Sequence, residues 1–115
     1  MSGTNCIFCK IAAGQAPASI VYESQEVLAF KDIAPAAPVH ILLIPRKHIV
    51  NVASATPEDA AVLGQLILVA GQVARDLGLT EGYRLVTNTD KHGGQSVYHL
   101  HFHLLGGRYM SWPPG

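Results

Sequence analysis

Charge of either sign is scarce in this chain. Eight Lys and Arg offset eight Asp and Glu, and no run of basic residues occurs. Holding a nucleic-acid backbone without sequence preference needs many cations, so nucleic acid is not an expected partner. A small phosphate-bearing ligand needs only a few well-placed donors. Long apolar runs are also lacking: the longest, Leu63 to Ala74, is interrupted by Gln65, Gly71 and Gln72. It is too short and too polar to span a bilayer, so no membrane partner is expected. The segment Met1-Ser2-Gly3-Thr4-Asn5 has neither the basic patch nor the apolar core of a secretory signal, which makes a cytoplasmic location the expectation. Cysteine is limited to Cys6 and Cys9, in a Cys-x-x-Cys spacing. In a reducing compartment that spacing reads as metal binding or redox chemistry before it reads as a structural disulfide.

Internal repeats, low-complexity tracts and linkers are absent as well, and 115 residues make one domain, expected to span 1–115. Apolar residues make up 49% of it and charged ones 14%, a globular composition. So short a chain leaves much of its surface uncovered, and self-association would help.

The pattern along the chain predicts a short helix over Ile7 to Ala13, stopped by Gly14 and Pro17. Short strands are expected at Val21–Ser24 and Val27–Lys31, and the β-branched run Val39–Ile44, closed by Pro45, suits a central strand buried on both faces. A long helix follows. Thr56 is its N-cap, Pro57 suits the first position, and Glu58 with Asp59 complement the dipole. Apolar residues then recur with helical period from Leu63 to Leu77, and Gly78 stands where a helix ends. Two more strands, Tyr83–Thr87 and Val97–Leu105, flank a polar, glycine-bearing loop. The order implies an α+β fold with antiparallel pairing.

The chemistry concentrates in His99-Leu100-His101-Phe102-His103. On a strand the three histidines share one face, while Leu100, Phe102 and Leu104 share the other and pack on the core. Imidazoles in a row suit either a metal ion or nucleophilic catalysis, in which one ring attacks and its neighbours orient it or move protons. The preceding Gly93-Gly94-Gln95-Ser96 offers backbone N–H groups and a hydroxyl, which fit a phosphate better than a bare metal. His92, in the same polar loop, reads as solvated.

With its flanking motifs, the run His99-Leu100-His101-Phe102-His103-Leu104-Leu105 resembles the signature of the histidine triad (HIT) family, in its nucleotide-binding, adenosine 5′-monophosphoramidase branch. Phe30-Lys31-Asp32-Ile33 with Pro35 and Pro38, His40 ahead of Ile44-Pro45-Arg46-Lys47-His48, Gly93 to Tyr98, Gly106-Gly107-Arg108 and Trp112 to Gly115 carry the likeness over nearly the whole chain. The resemblance implies a nucleoside 5′-phosphoramidate hydrolase that takes purine nucleotides and cleaves a P–N bond at the α-phosphorus. His101 would be the nucleophile, forming a nucleotidyl-histidine. Ser96 would stand near the departing nitrogen, and His99 would orient His101 through its backbone carbonyl. His103 and His40 would hold the phosphate and relay protons. Asn88, Gly94 and Gln95 would line the phosphate side, Asp32 and Ile33 would meet the nucleoside, and Phe8 and Phe30 would wall the base. The same histidine would also serve a dinucleoside polyphosphate hydrolase or a nucleotidyltransferase. A nucleotide-binding interaction protein is the reading from another class.

The resemblance further implies a structural zinc on Cys6, Cys9, His48 and His99, a set suited to tetrahedral zinc and not required for catalysis. Its fold is a five-stranded antiparallel sheet with two helices, and its homodimer joins two sheets into one of ten strands. Gly64 and Gly71 on the long helix would be close-packing points of that dimer, and the C-terminal tail would reach the partner's site.

Overall fold

The structure, a computed structural model, describes residues 5–115. Helix α1 (Ile7–Ala12) leads into strands β1 (Ile20–Glu23), β2 (Val27–Lys31) and β3 (Val39–Pro45). Two single 3₁₀ turns precede the long helix α2 (Ala60–Asp76), and strand β4 (Tyr83–Thr87), helix α3 (Asp90–Gly93) and strand β5 (Phe102–Gly106) complete the chain. The five strands form one antiparallel sheet in the order β1-β2-β3-β5-β4. This is the expected α+β fold with one addition, since the polar loop contains the short helix α3 where two helices were expected. Among the described residues no helix is long and apolar enough to cross a membrane.

Strict alternation divides the core. Val27, Ala29, Ile41, Leu43 and Leu104 face α2 and meet Val62, Leu66, Val69, Ala70, Val73 and Ala74. Leu28, Phe30, Leu42 and Ile44 point the other way and meet Phe8 and Ile11 of α1. β3 is therefore buried on both faces, as its unbroken apolar run implies. Leu66 is completely buried, and truncating it to Ala would cost about 2–5 kcal/mol in lost transfer energy and cavity.

The start of α2 is tied to the sheet by Asp59, whose carboxylate accepts from the Thr56 N–H at 2.9 Å and from Lys47 Nζ at 2.7 Å. Thr56 thus opens the 3₁₀ turn Pro57–Asp59 that feeds the helix. Gly78, at φ 74°, supplies the left-handed turn that ends it. Of the two expected packing glycines, a Cβ placed on Gly71 would stand 3.7 Å from the Tyr83 hydroxyl, while one on Gly64 would meet nothing within 4 Å.

Strand pairing near the triad starts later than the sequence suggests. Val97 to Leu100 run outside the ladder, which begins at Phe102, because the Leu100 N–H donates to the Ile49 carbonyl at 2.6 Å instead of to a strand neighbour. The alternation survives this bend. Leu100 and Leu104 are buried in the core under α2, with Phe102 packed against it, and the three histidines point to the opposite face.

Candidate active site

Each histidine is set by a hydrogen bond that also selects its tautomer. A carbonyl oxygen can only accept, so His99 Nε2, 2.8 Å from the Pro45 carbonyl, carries a proton. His101 Nδ1, 2.8 Å from the His99 carbonyl, carries one as well, which bares Nε2 as the ring's lone pair. On β3 the Ala36 N–H donates to His40 Nδ1 at 2.9 Å, so His40 holds its proton on Nε2. That Nε2–H lies 2.9 Å from His103 Nδ1 and 3.4 Å from Asp32 Oδ2. His103 thereby accepts at Nδ1 and keeps its own proton on Nε2. The result is a lone pair on His101 beside an N–H donor on His103, with ring centroids 4.9 Å apart.

Burial shapes the electrostatics. Desolvation lowers His103 to about 4; the adjacent His101 and His40 push in the same direction, and Asp32 opposes. His99 is also lowered to about 4, mainly by burial. His101 is lowered by burial too, against the opposing effects of the His99 carbonyl and Asp32. All three rings are accordingly neutral at pH 7, the form in which an imidazole attacks.

A cleft of about 460 Å³ opens over these rings and brings together Phe8, Phe30, Asp32, Ile33, Ser96, His101 and His103. Phe8 stands edge-to-face against His101, with centroids 5.0 Å apart and planes at 89°, and meets Phe30 at 5.6 Å. Ile33 is wholly exposed at the rim. Asp32 closes the end of β2: Oδ1 accepts from the Ala34 N–H at 2.8 Å, leaving Oδ2 toward His40. His40 lies behind His103, away from the cleft surface.

The loop before the triad closes largely on itself. Asn88, Gly94 and Gln95 do not line the cleft. The Gly94 and Gln95 N–H groups donate to Lys91 and Asp90 carbonyls and close α3, so they are not aimed at a ligand. Gln95 is buried as a bracket: Nε2 donates to the Val50 and Val97 carbonyls, and Oε1 accepts from Asn51 Nδ2 and the Asp90 N–H. Of these loop residues Ser96 reaches the cleft. His92 is exposed, as a solvated loop residue should be.

Two contributors escaped the sequence. Thr87 Oγ1 donates to the His101 carbonyl at 2.8 Å and pins the backbone of the central ring from β4. The Ala36 N–H, which sets the His40 tautomer, belongs to the proline-flanked turn before β3. The Thr87 bond depends on which strands pair, and the Ala36 bond on the shape of a turn four residues long.

At the buried end of the triad, Cys6 Sγ lies 3.3 Å from His99 Nδ1, and Cys9 Sγ lies 3.2 Å from His48 Nδ1 and 3.5 Å from His99 Nδ1. The four donor atoms all fall within 4.8 Å of one another. A tetrahedral zinc with bonds of about 2.0–2.3 Å spaces its ligands about 3.3–3.8 Å apart, so these residues fit the ion. The His99 proton on Nε2 leaves Nδ1 unprotonated toward the sulfurs, and a carbonyl on the far nitrogen is the usual way a ligating imidazole is held.

Residues 13–110 match a family model described as the HIT domain. The chain is 58% identical over 109 residues to an uncharacterized HIT-like protein of Synechococcus elongatus, covering 95% of this chain and 96% of that one. A solved HIT family hydrolase from Legionella pneumophila Philadelphia 1 is similar at a TM-score of 0.94 with 52% identity, covering 96% of this chain and all of that one. A HIT family hydrolase from Clostridium thermocellum is similar at 0.91 with 50% identity, covering 94% and 95%.

Proposed function

We propose that this chain, which belongs to the HIT family, hydrolyses purine nucleoside 5′-phosphoramidates at the P–N bond. The single observation that carries the reading is the bared Nε2 of His101 beside a His103 N–H, at the wall of a cleft that Asp32 also lines. The bacterial relatives described as hydrolases support hydrolysis as the reaction class.

In this reading Phe8 and Phe30 hold the base and Asp32 with Ile33 meets the nucleoside. His101 Nε2 attacks the α-phosphorus, and the P–N bond breaks with its electron pair going to nitrogen. Ser96 stands by the departing nitrogen, which takes a proton from solvent and leaves as the amine; the later attack of water returns that proton. The His103 N–H, kept on Nε2 by His40, meets the charge that develops on the phosphoryl oxygens. Gly94 and Gln95 brace the loop that carries Ser96. Water then attacks the phosphorus of the nucleotidyl-histidine, freeing the nucleoside monophosphate and restoring His101.

Cys6, Cys9, His48 and His99 would hold a structural zinc whose chemistry is cross-linking, since four protein ligands leave no open position. A cytoplasmic setting, where both thiols stay reduced, fits this reading. So does a homodimer: β4 is a sheet edge, and the neighbouring face of α2 exposes Ile67 and Leu68 at 52% and 74%.

A kinetic panel of adenosine and guanosine phosphoramidates against diadenosine polyphosphates tests the substrate. The phosphoramidates should give the higher kcat/KM; a preference for the polyphosphates would overturn the P–N assignment.

A further inference from the structure

The cysteines and one wall of the cleft are carried by the same short helix. Cys6 stands immediately before α1 and Cys9 lies within it; between them Phe8 presses against His101, and Ile7 and Ile11 line the same cleft. Six residues are too few to hold a helix unaided, and α1 is not part of the sheet. Its seat consists of the packing of Phe8 and Ile11, a hydrogen bond from Arg46 Nη1 to the Ala12 carbonyl at 2.8 Å, and the thiols. The thiols tie α1 to two separate segments, through His99 before β5 and His48 after β3.

The two sulfurs are also placed to react with each other. The Cys9 N–H donates to Cys6 Sγ at 3.3 Å, and both sulfurs lie within the 4.8 Å cluster. Cys6 can be reached from solvent along an open groove that it shares with Asn5, Ser96 and Tyr98. That groove runs into the nucleotide cleft, since Ile7, Ser96 and Val97 line both.

We propose that Cys6 and Cys9 form a redox modification site that latches the cleft, oxidised by a peroxide to a disulfide that unseats α1 and Phe8. The Cys6 thiolate attacks one peroxide oxygen, the O–O bond breaks, and one water leaves with a sulfenic acid on Cys6. The Cys9 thiolate then attacks that sulfur and expels the second water. The two thiols lose two electrons and two protons in all, and the peroxide is reduced to two waters. A disulfide joins the cysteines only to each other, so both ties to the sheet are lost together with the donors that hold the metal. The Arg46 bond to the Ala12 carbonyl remains, which keeps the opening local and reversible. The proposal rests on the reading of the Cys/His cluster as a zinc site.

The test treats zinc-loaded protein with hydrogen peroxide and follows four quantities: zinc release, the Cys6–Cys9 disulfide by mass spectrometry, exchange of the α1 amides, and AMP affinity by calorimetry. The Lys10 and Ala13 N–H groups, bonded to the Cys6 and Cys9 carbonyls at 3.0 Å, report on the helix. Zinc should leave as the disulfide forms. The α1 amides should exchange about tenfold faster while β2 and β3 amides hold, and AMP should bind about tenfold more weakly. Dithiothreitol with zinc should restore all four. A disulfide that leaves α1 exchange unchanged overturns the latch, and so does peroxide that oxidises other residues while Cys6 and Cys9 stay reduced. Protein that carries no zinc yet loosens α1 on oxidation would sink the metal reading and uphold the redox site. Untreated protein that fails to bind AMP would sink the nucleotide reading alone, because amide exchange still decides the latch.

Discussion

The carbonyl oxygen of His99 lies 2.8 Å from Nδ1 of His101. One residue therefore serves two centres: its ring faces Cys6 and Cys9, and its backbone fixes the proton of the triad's central ring. The segment that anchors the cysteine cluster is in this way rigidly coupled to the proposed nucleophile.

His101→Asn removes the lone pair that attacks but leaves a polar group of similar reach. Turnover of an adenosine phosphoramidate should fall by about three orders of magnitude or more, with the near-ultraviolet circular dichroism unchanged. Substantial residual turnover would exclude His101 as nucleophile.

His40→Ala removes the N–H that holds His103 in its tautomer. kcat should drop about 10- to 100-fold while KM changes little, because the group acts through His103 and not on the nucleoside. An equal effect on KM would place His40 in binding instead.

His103 titrates near 4 in the folded chain, against about 6.5 for an unfolded histidine. The unfolded state binds the proton more readily between those values, so the stability contributed by the neutral ring is complete above about pH 6.5 and is lost as the pH falls toward 4. Urea midpoints should decline over that window, and His103→Phe should flatten the decline. An unchanged slope in the variant would assign the loss to other groups.

Removing zinc with a chelator should lower the melting temperature while kcat at saturating phosphoramidate is largely kept. Loss of kcat in step with the metal would point to hydrolysis by a metal ion at the triad.

The C-terminal tail lies along β4, where Arg84 Nη2 donates to the Ser111 carbonyl at 2.9 Å and the guanidinium sits 5.9 Å from the Trp112 ring centre. These contacts are solvent-exposed and worth about 1 kcal/mol or less. Deleting 111–115 should shift preference among leaving groups more than it shifts thermal stability, as a panel of phosphoramidates with different amines would measure.

Elements with strong periodicity were legible from sequence. Alternation exposed the shared face of the three histidines, and the both-faces burial of β3 followed from an apolar run with one histidine in it. The proline, acid and glycine signals at the ends of α2 were equally readable. The loop before the triad was not, because glycines announce a turn without saying whether its N–H groups face a ligand or close on themselves. In this chain the Gly94 and Gln95 amides close α3.

By itself the sequence determined the face, the order of the motifs and the chemistry available: three imidazoles in line, two thiols three residues apart, and one long amphipathic helix. These follow from local geometry, since strand and helix periods are properties of the backbone. Only the tertiary structure decided the protonation of His99 and His103. The Pro45 carbonyl meets the His99 ring and the His40 Nε2–H meets His103 Nδ1 through pairing of distant segments, and the second encounter makes His103 a donor on its other nitrogen. Only tertiary structure, likewise, set α1 across the cleft, so that Phe8 presses on the ring that Thr87 holds from behind.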